Sequence, residues 1–167
     1  DGAVLGFVAR RNPGHSDDDN RGPKYLNTAT TPVFNKGDQL YVAGSLEAGQ
    51  TPVLVEGPMD AIAVTLAGGG RHVGVAPLGT SLTEQQVAQL HRAGQDPVVA
   101  TDADLAGRVA AERDYWLLAM YNLHPTYAVL PNGADPADLV ATGQAETLNQ
   151  AIANARPLGE TLIDERL

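Results

Sequence analysis

Two apolar runs that end abruptly in carboxylates constrain this chain more than any other feature. Val53-Leu54-Val55 runs into Glu56-Gly57-Pro58-Met59-Asp60, and Val98-Val99-Ala100 runs into Thr101-Asp102-Ala103-Asp104-Leu105-Ala106-Gly107. A strand covered by helices on both faces must be apolar on both, so each continuous run reads as a buried strand of an α/β sheet. A helical pattern follows each run. Parallel strands would deliver both acidic tips to one edge of the sheet, with neighbouring strands about 4.8 Å apart. Glu56, Asp102 and Asp104 then converge in the crevice where open α/β sheets place their ligands.

Carboxylates crowded together repel, and a bound divalent cation removes that cost. The chain has no cysteine, and no histidine lies in either acidic motif. An all-oxygen donor set suits Mg²⁺ or Mn²⁺ rather than zinc. Taken singly, Asp60 or Asp104 is equally explained as a helix cap. Capping does not explain a strand ending in Glu beside another ending in Asp-x-Asp.

The Glu-Gly-x-x-Asp and Asp-x-Asp-x-x-Gly pair resembles the Toprim domain of bacterial primases, topoisomerases and some nucleases. Three flanking segments resemble DnaG-type primases in particular. They are Gly22–Thr28 with Thr31-Pro32-Val33-Phe34-Asn35-Lys36-Gly37, the loop Leu78-Gly79-Thr80-Ser81, and Leu130-Pro131-Asn132-Gly133-Ala134-Asp135-Pro136. The resemblance spans about residues 1 to 145. It implies a mostly parallel four-stranded sheet flanked by helices, with a small N-terminal β appendage and a C-terminal helical piece. The divisions would be 1–50 (end of the primase N-terminal subdomain), 51–133 (Toprim core) and 134–167 (start of a C-terminal helical region).

The resemblance also implies chemistry. Glu56, Asp102 and Asp104 would be catalytic and would hold two Mg²⁺ or Mn²⁺ ions, or Glu56 would act instead as general acid or base, with Asp60 and Asp135 as accessory ligands or as groups hydrogen-bonded around the ligands. The family usually carries Asp-Pro-Asp where this chain has Asp135-Pro136-Ala137-Asp138, so one carboxylate is missing or displaced by one position. Lys24, Tyr25 and Asn27 become candidates for holding template or incoming nucleotide, by point charge, stacking face and amide respectively. Arg10 and Arg108 are candidate phosphate contacts. An exposed strand end explains Arg10 equally well, and pairing with Asp104 explains Arg108. The implied partners are single-stranded DNA, ribonucleoside triphosphates and, through regions outside this chain, a replicative helicase.

A net charge of −9 argues against a free-standing nucleic-acid binder. Part of that charge is the acidic cluster itself, and DnaG-type primases carry much of their basic template surface upstream of such a segment. Weak DNA binding is expected of this chain alone. It starts at Asp1 rather than Met and reads as a piece of a longer protein. No apolar run approaches the ~20 residues of a membrane span. With zero cysteines, a cytoplasmic location is expected. Two other readings keep the same domain: phosphodiester cleavage, as in Toprim nucleases and topoisomerases, and a non-catalytic assembly module.

Remaining elements follow from punctuation and periodicity. Asp1–Arg10, Gln39–Ala43, His72–Ala76 and Pro125–Leu130 read as strands, the last an edge because of its proline. Asp17-Asp18-Asp19 reads as a solvated loop. Pro58 opens a helix that Gly68-Gly69-Gly70 ends. Thr83 and Gln86 fit a capping box for a helix stopping at Gly94, with His91 exposed. The longest helix runs from Gly107 to about Asn122, with Val109, Ala110, Trp116, Leu117 and Met120 as its inward stripe. Asp138 is expected to cap a short helix, Leu139–Thr142, before Ala145–Ala155 and the start of another at Glu160–Leu167.

Overall fold

The computed structural model describes residues 3–12, 23, 25–79, 81–101, 105–131 and 133–164, the side chains of 105–108 excepted. At the N-terminus, β1 (Val8–Arg10) and β2 (Tyr25–Asn27) form an antiparallel ribbon with Val8 opposite Asn27 and Arg10 opposite Tyr25. The ribbon strand is shorter than the sequence suggests, and Val4, Leu5 and Phe7 ahead of it are exposed.

Next come β3 (Leu40–Val42), β4 (Thr51–Leu54), α1 (Pro58–Gly68), β5 (His72–Pro77), α2 (Glu84–Ala93), β6 (Val98–Val99) and α3 (Leu105–Met120). The chain continues through β7 (Thr126–Tyr127), α4 (Pro136–Ala141), α5 (Ala145–Ala153), β8 (Arg156–Pro157) and α6 (Leu158–Asp164). The main sheet has the order β3-β5-β4-β6-β7-β8. Its four inner strands pair in parallel, as expected, while β3 and β8 add an antiparallel strand at each edge. The fourth parallel strand is therefore not an edge. Pro125 precedes its first residue, where the missing N–H costs no ladder bond.

Side-chain alternation divides the core. Val53, Val55, Val98 and Ala100 face α1, α4 and α5, packing on Ala61, Val64, Leu139, Leu148 and Ile152. Leu54, Val75 and Val99 face the opposite layer, packing with Val87, Leu90, Leu118 and Leu158 from α2, α3 and α6. Strands this short are apolar at successive positions because both faces are covered.

The helix signals play out with two differences. Pro58 opens α1, and Gly69 closes it in the left-handed conformation (φ 55°). Thr83 and Gln86 form the reciprocal capping box of α2. The short helix starts earlier than expected, and its cap is Asp135, not Asp138. Asp135 accepts from the Asp138 N–H at 2.6 Å, and Pro136 takes the first helical position. The last helix likewise starts earlier than the expected Glu160, with Leu158 and Gly159 already in α6.

The inward stripe of α3 is the larger correction. Val109, Trp116 and Met120 are 60%, 62% and 74% exposed, while Ala111, Asp114 and Leu118 are buried. Apolar residues occur all round this helix, so periodicity alone does not select a face. Trp116 instead meets Tyr115 edge-on, ring centroids 5.1 Å apart.

One glycine shows how tightly α1 sits on the sheet. A Cβ on Gly74 in β5 would lie 2.0 Å from the Ala61 carbonyl oxygen. The Gly74 N–H donates to Thr65 Oγ1 at 2.9 Å, tying the same two elements. Gly74→Ala is expected to cost about 3 kcal/mol or more, because backbone must move. Urea unfolding of the variant measures it, and an unchanged midpoint would contradict this packing.

Candidate active site

The carboxyl edge of the parallel strands is where the functional candidates gather. Glu56 follows β4 directly and is exposed at that edge. The register pairing Val53 with Val98 and Leu54 with Val99 continues through the Ala100 N–H donating to Leu54 O at 2.8 Å. It brings Thr101, which is 3% exposed, to the same cavity as Glu56. The description of this strand stops there. Asp102 and Asp104 lie outside the described residues, as do Lys24, the Arg108 side chain and the Asp17–Asp19 run.

Glu56 borders three cavities. The first, about 210 Å³, also touches Arg10, Tyr25, Asp60, Asp135 and Asp138. The accessory carboxylates Asp60 and Asp135 thus reach the same hollow as Glu56. Asp60 is 9% exposed and sits in the first turn of α1. Its Oδ1 accepts from the Ala137 N–H at 3.2 Å, so it binds α4 to α1 beside the edge. Ala137 is the residue standing where the related motif carries its second aspartate. The donor chemistry of this hollow suits a hard dication. Among the described residues, however, no group of three or more Asp, Glu or His is gathered closely enough to hold one.

The second cavity, about 320 Å³, lies between the N-terminal ribbon and the loop after β5, and touches Tyr25, Asn27, Lys36, Glu56 and Leu78. The Arg10 guanidinium carbon sits 6.0 Å from the Tyr25 ring centroid. Burial raises the Tyr25 phenol pKa. Arg10 opposes that rise, and Asp60 and Asp135 reinforce it. Asn27 is partly spent on structure: its Nδ2 donates to Leu78 O at 3.0 Å, while its Oδ1 is buried with no hydrogen-bond partner.

Lys36 was not among the residues singled out from sequence as nucleotide contacts, although it lies in one of the resembling segments. Its loop is gripped by α2. Thr83 Oγ1 donates to Gly37 O at 2.6 Å, and Gln86 Nε2 donates to Lys36 O and Gln39 O at 3.1 and 2.8 Å. Gln86 has no exposed surface. The capping box therefore also fixes the backbone that carries Lys36 to the cavity.

The third cavity, about 400 Å³, opens between α3 and the sheet and touches Glu56, Thr101, Arg113 and Asp114. Asp114 is 5% exposed, and burial pushes its carboxyl pKa up to about 6. Arg113 offsets part of that rise, and the Glu56 charge adds to it. Sequence gave no hint of this residue, since its burial depends on which way α3 faces.

Residues 53–140 match the family described as Toprim-like, and residues 1–47 match the family described as DNA primase catalytic core, N-terminal domain. The DNA primase of Halalkalibacterium halodurans is 36% identical over 144 residues, covering 84% of this chain and 23% of that protein. The crystal structure of the RNA polymerase domain of Mycobacterium tuberculosis primase DnaG superposes with a TM-score of 0.80 at 31% identity, over 97% of this chain and 54% of that one. A DnaG primase catalytic domain bound to single-stranded DNA superposes with a TM-score of 0.77 at 34% identity, over 97% and 51%. The chain spans between 23% and 32% of the length of the curated primases it matches. By a match over more than half its residues, the chain belongs to the Toprim-like family, in the arrangement that DnaG-type DNA primases carry behind the N-terminal domain of their catalytic core.

Proposed function

We propose that this chain is the catalytic centre of a DNA primase, joining ribonucleotides into RNA primers on a single-stranded DNA template. The observation that carries the reading is the position of Glu56 at the meeting of three cavities on the carboxyl edge of parallel strands. The DNA-bound state of a related catalytic domain supports the template as partner. The replicative helicase would be met by regions outside this chain, and the cytoplasm is the compartment of such work. No helix among the described residues is long and apolar enough to cross a membrane.

Glu56, Asp102 and Asp104 would hold two Mg²⁺ or Mn²⁺ ions, with Asp60 and Asp135 shaping the surrounding field. Bound there, the ions would neutralise triphosphate charge and stabilise the leaving pyrophosphate. The rest falls to the chain's own groups. Lys36 brings a cation to the cavity beside Tyr25, and Lys24 precedes the same strand. Tyr25 offers a ring for a base to stack on. Arg10 and Arg108 would contact phosphates. The Oδ1 of Asn27 supplies an acceptor for a donor group of the nucleotide.

The test is an assay with Mn²⁺, a single-stranded DNA template and labelled ribonucleotides. Short RNA products that need all three components are expected. DNA cleavage in the absence of nucleotides, with no RNA made, would replace this reading by that of a Toprim nuclease.

A further inference from the structure

The cavity between α3 and the sheet contains a charged pair that the proposed reaction has not used. Arg113 Nε and Nη2 both donate to Asp114 Oδ1, at 3.3 and 3.2 Å. The two ends of the pair have opposite surroundings: the Asp114 side chain is 8% exposed and the Arg113 side chain 47%. Both border the cavity that Glu56 and Thr101 border. A guanidinium has five N–H donors in a planar fork, and this contact uses one edge of it. The rest of the fork remains for an anion, and a planar cation held in one orientation suits phosphate oxygens.

We infer that Arg113 is a polyphosphate-binding residue of this site and that Asp114 is the positioning residue that orients its guanidinium. The inference deepens the primase reading by naming which group meets the nucleotide's phosphates on the α3 side of Glu56. A cavity of about 400 Å³ is in the range of small-molecule sites. Stability alone does not account for Asp114. A carboxylate buried against a half-exposed partner is disfavoured there, as its raised pKa shows, and an apolar residue would pack the same space without that cost. A carboxylate perturbed by burial beside a specific charge partner, in a cleft, marks a functional-site candidate.

The probe is inorganic tripolyphosphate, added with Mg²⁺ to the chain and followed by the fluorescence of Trp116, the single tryptophan, three residues from Arg113 on the same helix. Arg113→Ala is expected to weaken binding about tenfold, the usual size of a lost charge-assisted contact. Arg113→Lys should fall between, keeping charge but not the fork. Asp114→Asn should weaken binding about threefold while resistance to unfolding at pH 8 rises, a combination that a purely structural residue does not produce. In primer synthesis the same variants should raise KM for ribonucleotide more than they lower kcat. Equal affinity in wild type and Arg113→Ala overturns the inference, as does a wild type that binds no tripolyphosphate. Primer synthesis by the wild type judges the primase reading separately.

Discussion

Glu56→Gln is expected to lower primer synthesis by about 10³-fold or more while the protein remains folded. Losing one carboxylate that holds the ions at the reacting phosphates would remove about 4 kcal/mol of transition-state stabilisation, at 1.36 kcal/mol per decade. The side chain is exposed and follows the end of β4, and Val53–Val55 beneath it are almost completely buried, so strand pairing does not depend on the carboxylate. The variant should therefore keep the wild-type circular dichroism spectrum and be no less stable than wild type. Mn²⁺ binding, followed by electron paramagnetic resonance, should weaken in parallel with activity. A Gln variant within about tenfold of wild type would remove Glu56 from the reaction. It would leave the acidic edge as a structural feature of a family fold.

How much of this was legible beforehand depends on whether a signal was local. The acidic tip at Glu56 is legible because a buried strand must be apolar and a following carboxylate marks where it surfaces. Val53 to Glu56 carries both signals in four residues. The capping box at Thr83 and Gln86 was legible for the same reason, its spacing being complete within one turn. Asp135 and Asp138 illustrate the limit of such signals. Both are cap-type residues near one helix start, and choosing between them needs the position of Pro136. The edge strands β3 and β8 are short, and their partners are distant in sequence, so nothing local announces that they extend the sheet. The face of α3 is not legible locally, because Val109, Trp116 and Met120 look like core residues on a helix with apolar side chains all round. That single rotation hid Asp114. Lys36 lay within a recognised segment, but its importance comes from Gln86 and Thr83, about fifty residues later in the chain.

A pH-dependent stability effect should come from that hidden residue. Asp114→Asn is expected to stabilise the fold at pH 8 by about 3 kcal/mol, and hardly at all at pH 4. The folded carboxyl titrates near 6, against an ordinary value of 3.8. At 1.36 kcal/mol per pKa unit, the ionised form in the fold is disfavoured by about 3 kcal/mol. Below about pH 4 the group is protonated in both the folded and unfolded chain and contributes no difference. As pH rises from about 4 through about 6, the unfolded chain releases its proton first, so stability falls across that window and stays reduced above it. Asparagine keeps the shape and has no charge to desolvate. The difference between variant and wild type therefore isolates this group from the other carboxylates, which titrate in both. Urea unfolding at half-unit steps from pH 4 to 8 measures it. In a Glu56→Gln background the rise of the difference curve should move to lower pH, because the Glu56 charge is one cause of the raised value. A difference flat across the whole range would mean that Asp114 is already well solvated. The α3 face would then be open to water rather than closed on the sheet.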